Sequence, residues 1–144
     1  MKQPKVKVLF VCIGNACRSP MAEAIARQDA GYLLEVSSAG LFPLGVVPDM
    51  TLETLKRNGY STAGLESKPI SKDALLNADL VINLSGHTKA AALSASAKIE
   101  DWLVSDPYGE DQGVYQVILE EIQRRITDLV ARLRKVRMKE KVDS

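Results

Sequence analysis

The residues best equipped for chemistry lie in one short run, Cys12-Ile13-Gly14-Asn15-Ala16-Cys17-Arg18-Ser19. A five-residue loop between a cysteine and an arginine can curl its backbone N–H groups around a tetrahedral oxyanion. Gly14 and Asn15 are expected to supply the positive φ angles that such a nest requires. A helix is predicted from Arg18 onward, so its N-terminal dipole adds to the same spot. The Arg18 guanidinium is a planar fork able to hold two phosphate oxygens at once. The field that attracts an oxyanion also stabilises a thiolate. Cys12 is thus a candidate nucleophile, and Ser19 can donate a hydrogen bond to it. Asn15 is expected to brace the loop rather than touch substrate. A cysteine that merely packed at a strand end would explain neither Gly14 nor Arg18.

A thiolate that attacks phosphorus turns the substrate oxygen into a leaving group in need of a proton. Asp106, within Ser105-Asp106-Pro107-Tyr108-Gly109, is the candidate acid. Pro107 biases the residue before it toward extended backbone, which can aim the carboxyl into the site. In a second step the same carboxylate can take a proton from the attacking water. Glu110 and Asp111 lack the Asp-Pro context and read as solvated charges. Phe42 and Tyr108 are candidate walls of a slot for the organic group of the substrate. Cys17 is expected to be a redox partner of Cys12, intercepting its sulfenic acid as a disulfide, with small buried filler as the alternative. His87 reads as a capping or surface histidine, and Trp102 as core.

These groups need a scaffold that brings them to one rim. Val6 to Cys12 is predicted as a buried strand, and the helix from Arg18 runs to a stop at Gly31. Leu33 to Ser38 reads as a second strand, ending in Ser38-Ala39-Gly40. Asp49 is expected to cap a helix carrying Leu52 and Leu55, closed by Gly59. Ser71 is expected to cap a short helix through Leu75. Leu80 to Leu84 and Ile99 to Val104 read as further strands, with a helix predicted over Thr88 to Ala97. A long amphipathic helix follows, with Val114, Val117, Ile118, Ile122, Ile126, Leu129, Val130 and Leu133 on one side. The domain is expected over residues 1–135, with a polar, fraying tail over 136–144. Strands alternating with helices imply an α/β domain, its mainly parallel sheet covered on both faces. In such sheets ligands bind beyond the carboxyl ends of the strands. Cys12 ends the first strand and Asp106 follows the fourth, so both can share that rim.

Bulk properties narrow the function classes. With 144 residues, 46% of them apolar and 26% charged, the chain has the composition of one ordinary globular domain. A net charge of +1 creates no large field for nucleic acid or membrane, so anion binding must be local. The apolar run from Val8 to Ile13 is too short for a signal peptide, and no stretch approaches the ~20 apolar residues of a membrane span. A cytoplasmic protein is expected. Two cysteines and one histidine make neither a disulfide scaffold nor a zinc site, so neither metal nor cofactor is expected.

The sequence resembles the low-molecular-weight protein-tyrosine phosphatase family. VLFVCIGNACRSPMAEA is similar to that family's opening strand, phosphate loop and first helix, and Ser38-Ala39-Gly40 and Asp106-Pro107-Tyr108 match its other landmarks. The resemblance covers roughly residues 6–133. It implies a four-stranded parallel sheet, a phosphocysteine intermediate and metal independence. Carried across, it implies Cys12 as nucleophile, Arg18 as clamp and Asp106 as general acid. Ser19 then steadies the thiolate, Ile13 to Ser19 bind phosphate, and Asn15 with Ser38 hold the loop. Family members often carry a histidine near Gly64 and Leu65 that supports the loop, and a tryptophan near Phe42. Both are missing here.

The implied substrate is a phosphotyrosine-bearing protein or a small aryl phosphate, and the implied state a monomer or weak dimer. Arsenate reductases coupled to thioredoxin share the fold and loop, but pass a disulfide outward through later cysteines. No cysteine follows Cys17, which leaves only a reductase served by an external thiol. Protein-arginine phosphatases typically carry threonine where Ala16 stands. A silent phospho-binding module would be expected to lose Cys12 or Asp106. Tyr108 and Tyr115 are open as phosphorylation sites.

Overall fold

The computed structural model describes residues 4–87, 93 and 98–143. The chain runs β1 (Val6–Cys12), α1 (Arg18–Ala30), β2 (Leu34–Gly40), α2 (Asp49–Arg57), α3 (Lys72–Asn77), β3 (Leu80–Asn83), β4 (Ile99–Asp101) and α4 (Gln112–Asp143). The four strands form one parallel sheet in the order β2-β1-β3-β4. The expected α/β architecture is therefore present.

The alternation of side chains along β1 divides the core in two. Val8, Phe10 and Cys12 face the layer of α1, α2 and α4, packing with Met21, Ile25, Leu55, Leu119 and Ile122. Leu9 and Val11 face the other way and pack with Leu75 of α3, Val81 and Leu93. A central strand buried on both faces must be apolar throughout, which is why VLFVC reads as a continuous run. Each fully buried large side chain contributes about 1.5–3 kcal/mol. Phe10 and Trp102 also meet as tilted rings at 6.0 Å, so Trp102 is core as expected.

Several boundaries differ from the expectation, each for a local reason. β2 extends to Gly40 because Ala39 and Gly40 pair with Val11 and Cys12. β4 stops at Asp101 rather than Val104, and the Val104 carbonyl instead accepts from Arg18 at 3.1 Å. Asp49 is not the cap of α2: Pro48 holds that place, with no side-chain cap, and Asp49 lies inside the first turn. Ser71 does cap α3, accepting from the Ala74 N–H at 3.0 Å. On α4, Val117 is exposed rather than on the buried side. Of the tail expected to fray, residues 136–143 are helical, because α4 continues to Asp143. The helix predicted over Thr88 to Ala97 lies outside the described residues except for Leu93, which is buried. Among the described residues, no helix is long and apolar enough to cross a membrane.

Candidate active site

The segment between β1 and α1 forms a cup, and its curvature follows from where its carbonyls go. The Cys12 carbonyl accepts from Leu41 N–H at 3.0 Å and the Ile13 carbonyl from Phe42 N–H at 2.8 Å. The Gly14 carbonyl accepts from Leu44 N–H at 2.9 Å and from Ser67 Oγ at 2.8 Å. The Ala16 carbonyl accepts from Thr51 Oγ1 at 2.9 Å. In a trans peptide the C=O and the next N–H point in opposite directions. Four carbonyls tied outward therefore turn the N–H groups of Ile13, Gly14, Asn15 and Cys17 inward. The result is a concave set of donors, which is what an oxyanion requires.

Of the two residues expected at positive φ, only Asn15 has it, at 47°. Gly14 lies outside the left-handed region; the turn is made one residue later. Asn15 can hold that angle because its side chain is bonded on both ends. Its Nδ2 donates to Ser19 Oγ (2.8 Å) and Ser38 Oγ (3.0 Å), and its Oδ1 accepts from Lys68 N–H (2.9 Å). Beneath it, Gly40 comes so close that an added Cβ would stand 2.9 Å from Asn15 Cβ, Asn15 N and the Ile13 carbonyl oxygen. Only glycine fits there. The Ser38-Ala39-Gly40 sequence thus serves the loop twice, through a hydroxyl and through a missing side chain.

Cys12 Sγ lies 2.9 Å from Ser19 Oγ, the contact expected from the sequence. Arg18, buried at the start of α1, gives Nη1 to the Val104 carbonyl, and its Nη2 lies 3.6 Å from Asp106 Oδ2. Its Nε is buried without a hydrogen-bond partner. Asp106 is half-exposed, and its Oδ1 accepts from Tyr108 N–H at 3.1 Å, an Asx turn that holds the carboxyl at the rim. Cys12, Arg18 and Asp106 line one cleft of about 320 Å³ together with Ile13, Phe42 and Tyr108. Phe42 and Tyr108 are exposed at its mouth. A thiol at the base, donors around it and a carboxyl at the rim can bind a tetrahedral oxyanion, attack it and move a proton.

The family model described as low molecular weight phosphotyrosine protein phosphatase matches residues 7–139. The chain belongs to that family. Members of this phosphatase family are cysteine-based enzymes, and phosphatase chemistry is supported for the chain on that ground. Similar proteins carry several activities in their names. Arsenate reductase 1 of Bacillus cereus is 34% identical over 124 residues, which is 85% of this chain and 92% of that protein. The crystal structure of a low molecular weight protein tyrosine phosphatase from T. tengcongensis matches with a TM-score of 0.79 and 32% identity, covering 89% of this chain and 99% of that one. An arginine phosphatase from Geobacillus stearothermophilus matches with a TM-score of 0.83 and 28% identity, covering 93% and 96%.

No histidine stands near Gly64, and the structure puts other groups against the loop. Ser67 Oγ donates to the Gly14 carbonyl while accepting from Gly45 N–H at 3.0 Å, and Lys68 N–H bonds Asn15. Several neighbours of the site escaped the sequence reading. Glu23 is buried and accepts from Ser38 Oγ at 2.6 Å and from Arg27 Nη2 at 2.5 Å. Thr51 is fully buried under the loop, and Tyr115 of α4 places its hydroxyl 3.4 Å from Cys17 Sγ. Burial, opposed by hydrogen bonds to Thr51 and Tyr115 and aided by the charges of Asp106 and Cys12, raises the Cys17 thiol above its ordinary value. Burial, then the hydrogen bond to Cys17, raises the Tyr115 phenol. Pro43 and Leu44 add to the cleft walls. Arg18 to Ala26 are buried on every side of α1, so no periodic pattern marked Glu23, and nothing local marked Thr51 or Ser67. His87 is exposed, with its N–H on Ser85 Oγ at 3.1 Å, and stands apart from the cleft.

Proposed function

We propose that the protein hydrolyses phosphomonoesters, with phosphotyrosine in proteins as the preferred class, through a phosphocysteine intermediate. The phosphoryl group sits in the cup, held by the inward N–H groups and by Nε and Nη2 of Arg18. Cys12 Sγ attacks phosphorus as a thiolate steadied by Ser19, the bond from phosphorus to the leaving oxygen breaks, and Asp106 gives that oxygen its proton. Water then attacks phosphorus, Asp106 takes a proton from it, and the sulfur–phosphorus bond breaks to free inorganic phosphate and the thiolate. Asn15 and Ser38 keep the loop in shape. The observation that carries this reading is Arg18 Nε, a buried donor without a partner at the wall of the cleft. An unpaired buried donor costs about 1–3 kcal/mol, a cost a bound oxyanion removes. The walls formed by Phe42 and Tyr108 favour a flat aromatic group over a seryl or threonyl stem.

The name of the Bacillus cereus relative favours a second reading, arsenate reduction, since arsenate is also a tetrahedral oxyanion that the cup can hold. With Cys12 and Cys17 as its two cysteines, the chain would need an external thiol as reductant. Phosphoarginine, the substrate class named for the Geobacillus relative, is a third candidate. Turnover of a phosphotyrosine peptide, a phosphoarginine peptide, and arsenate with glutathione, measured side by side, separates these readings. The phosphotyrosine peptide is expected to be hydrolysed fastest, and Cys12→Ser to abolish turnover while still binding vanadate. Faster arsenate reduction than ester hydrolysis overturns the assignment.

A further inference from the structure

We propose that Thr51 is a positioning residue for the anion cup, setting the direction of the Ala16–Cys17 peptide so that the Cys17 N–H serves as a phosphate donor. This rests on the cup being an oxyanion site, and it adds a residue from a separate helix to that site. Thr51 lies in the first turn of α2, with no exposed surface. Its hydroxyl has one proton, and the 2.9 Å contact to the Ala16 carbonyl oxygen uses it.

The other outward carbonyls are held at least in part by backbone N–H groups of the segment Leu41–Leu44. The Ala16 carbonyl is held instead by a side chain, so this peptide is the one a single substitution can release. Once released, a buried carbonyl without a donor is costly. The way to relieve that cost is to rotate toward the wet cleft that Ala16 and Cys17 line. Rotation carries the N–H away and brings a partly negative oxygen into the cup, so one attraction is exchanged for a repulsion. A threonine that only filled space would have no such effect.

The two features of the side chain can be separated. Thr51→Val keeps the branched shape and removes the donor, whereas Thr51→Ser keeps the donor and removes a methyl group. Binding of inorganic phosphate by calorimetry is expected to weaken roughly 10–100-fold in Thr51→Val, the scale of one lost hydrogen bond to a charged group. Thr51→Ser should stay within about threefold of the parent, a range well below that loss. A Thr51→Val protein that binds phosphate as the parent does, or a Thr51→Ser protein weakened as much as Thr51→Val, overturns the proposal. Should the valine variant not fold, the unsubstituted protein decides. On titration with phosphate, the Cys17 amide proton should move downfield in nitrogen-15 correlated spectra, and an unmoved Cys17 amide overturns the proposal equally. Phosphate binding with a shifted Cys17 amide, but no hydrolysis of any phosphomonoester, would sink the proposed function and leave the role of Thr51 standing.

Discussion

Replacing Arg18 by lysine keeps the charge and changes the geometry, so it tests whether the fork itself matters. In the structure Nη1 is committed to the Val104 carbonyl at 3.1 Å, Nη2 lies 3.6 Å from Asp106 Oδ2 and Nε has no partner, so an anion can take Nε outright and Nη2 alongside Asp106. A hydrogen bond to a charged group contributes about 1.5–3 kcal/mol. A lysine ammonium can reach the anion, but as one point on a flexible stem it replaces one planar contact rather than two. The affinity for inorganic phosphate should therefore fall about 10–100-fold. The loss in kcat should be larger, about 10²–10³, because the equatorial oxygens gather charge in the transition state where the second contact counts most. Steady-state hydrolysis of an aryl phosphate, with phosphate as competitive inhibitor, gives both quantities. Thermal stability should fall by less than activity, since the lost Nη1 bond to Val104 is offset in part by removal of a buried donor that has no partner in the fold. An Arg18→Lys enzyme with kcat and phosphate affinity within about threefold of the parent, far short of one lost charged hydrogen bond, would refute the reasoning.

Asp106→Asn should lower kcat on phenyl phosphate by about 10²–10⁴, and lower phosphorylation by activated aryl phosphates much less. Equal losses for good and poor leaving groups in single-turnover phosphorylation would remove Asp106 as the acid. The Cys17 thiol and the Tyr115 phenol are both raised above their ordinary values of 9.0 and 10.0. Folding thus favours their protonated forms, and that stability is whole below pH 9.0 and is lost as pH rises through the folded values. Urea midpoints should fall in that alkaline range, and less steeply in a Cys17→Ala/Tyr115→Phe protein; identical slopes would contradict the linkage. Mild peroxide should convert Cys12 to its sulfenic acid; the Cys17 sulfur then attacks the sulfenic sulfur, whose hydroxyl leaves as water, to form a disulfide. In Cys17→Ser a second equivalent of peroxide should carry the unprotected sulfenic acid on to the irreversible sulfinic acid, so dithiothreitol should restore the parent enzyme but not that variant, and full recovery of Cys17→Ser would leave Cys17 as filler.

The chemistry was legible in the sequence where it depends on neighbours along the chain. Cys12, Asn15, Arg18 and Ser19 lie within a single loop and helix start, so their types and spacing describe the cup directly. The sheet was legible for a similar reason, since a strand buried on both faces has to be apolar along its length. What stayed hidden depends on groups far apart in sequence. Thr51 and Tyr115 reach the loop from α2 and α4, and Val104 contributes a backbone carbonyl, which any residue type could supply. The positive φ was expected at Gly14 as well as Asn15, and side-chain bonds to Ser19, Ser38 and Lys68 explain why Asn15 alone carries it. Asp49 looked like a cap by type, yet Pro48 took that position, a distinction of one residue that local preference does not resolve.

The covalent intermediate on Cys12 is the central claim, and trapping it is the most direct test. Asp106→Asn, mixed rapidly with an activated aryl phosphate, should form the intermediate readily and hydrolyse it slowly, for want of a base. Quenching within the first turnover, followed by peptide mass spectrometry, should find one phosphoryl group on Cys12 and none in Cys12→Ser. Release of the aryl alcohol through a full turnover with no phosphorylated Cys12 at any time would contradict the account.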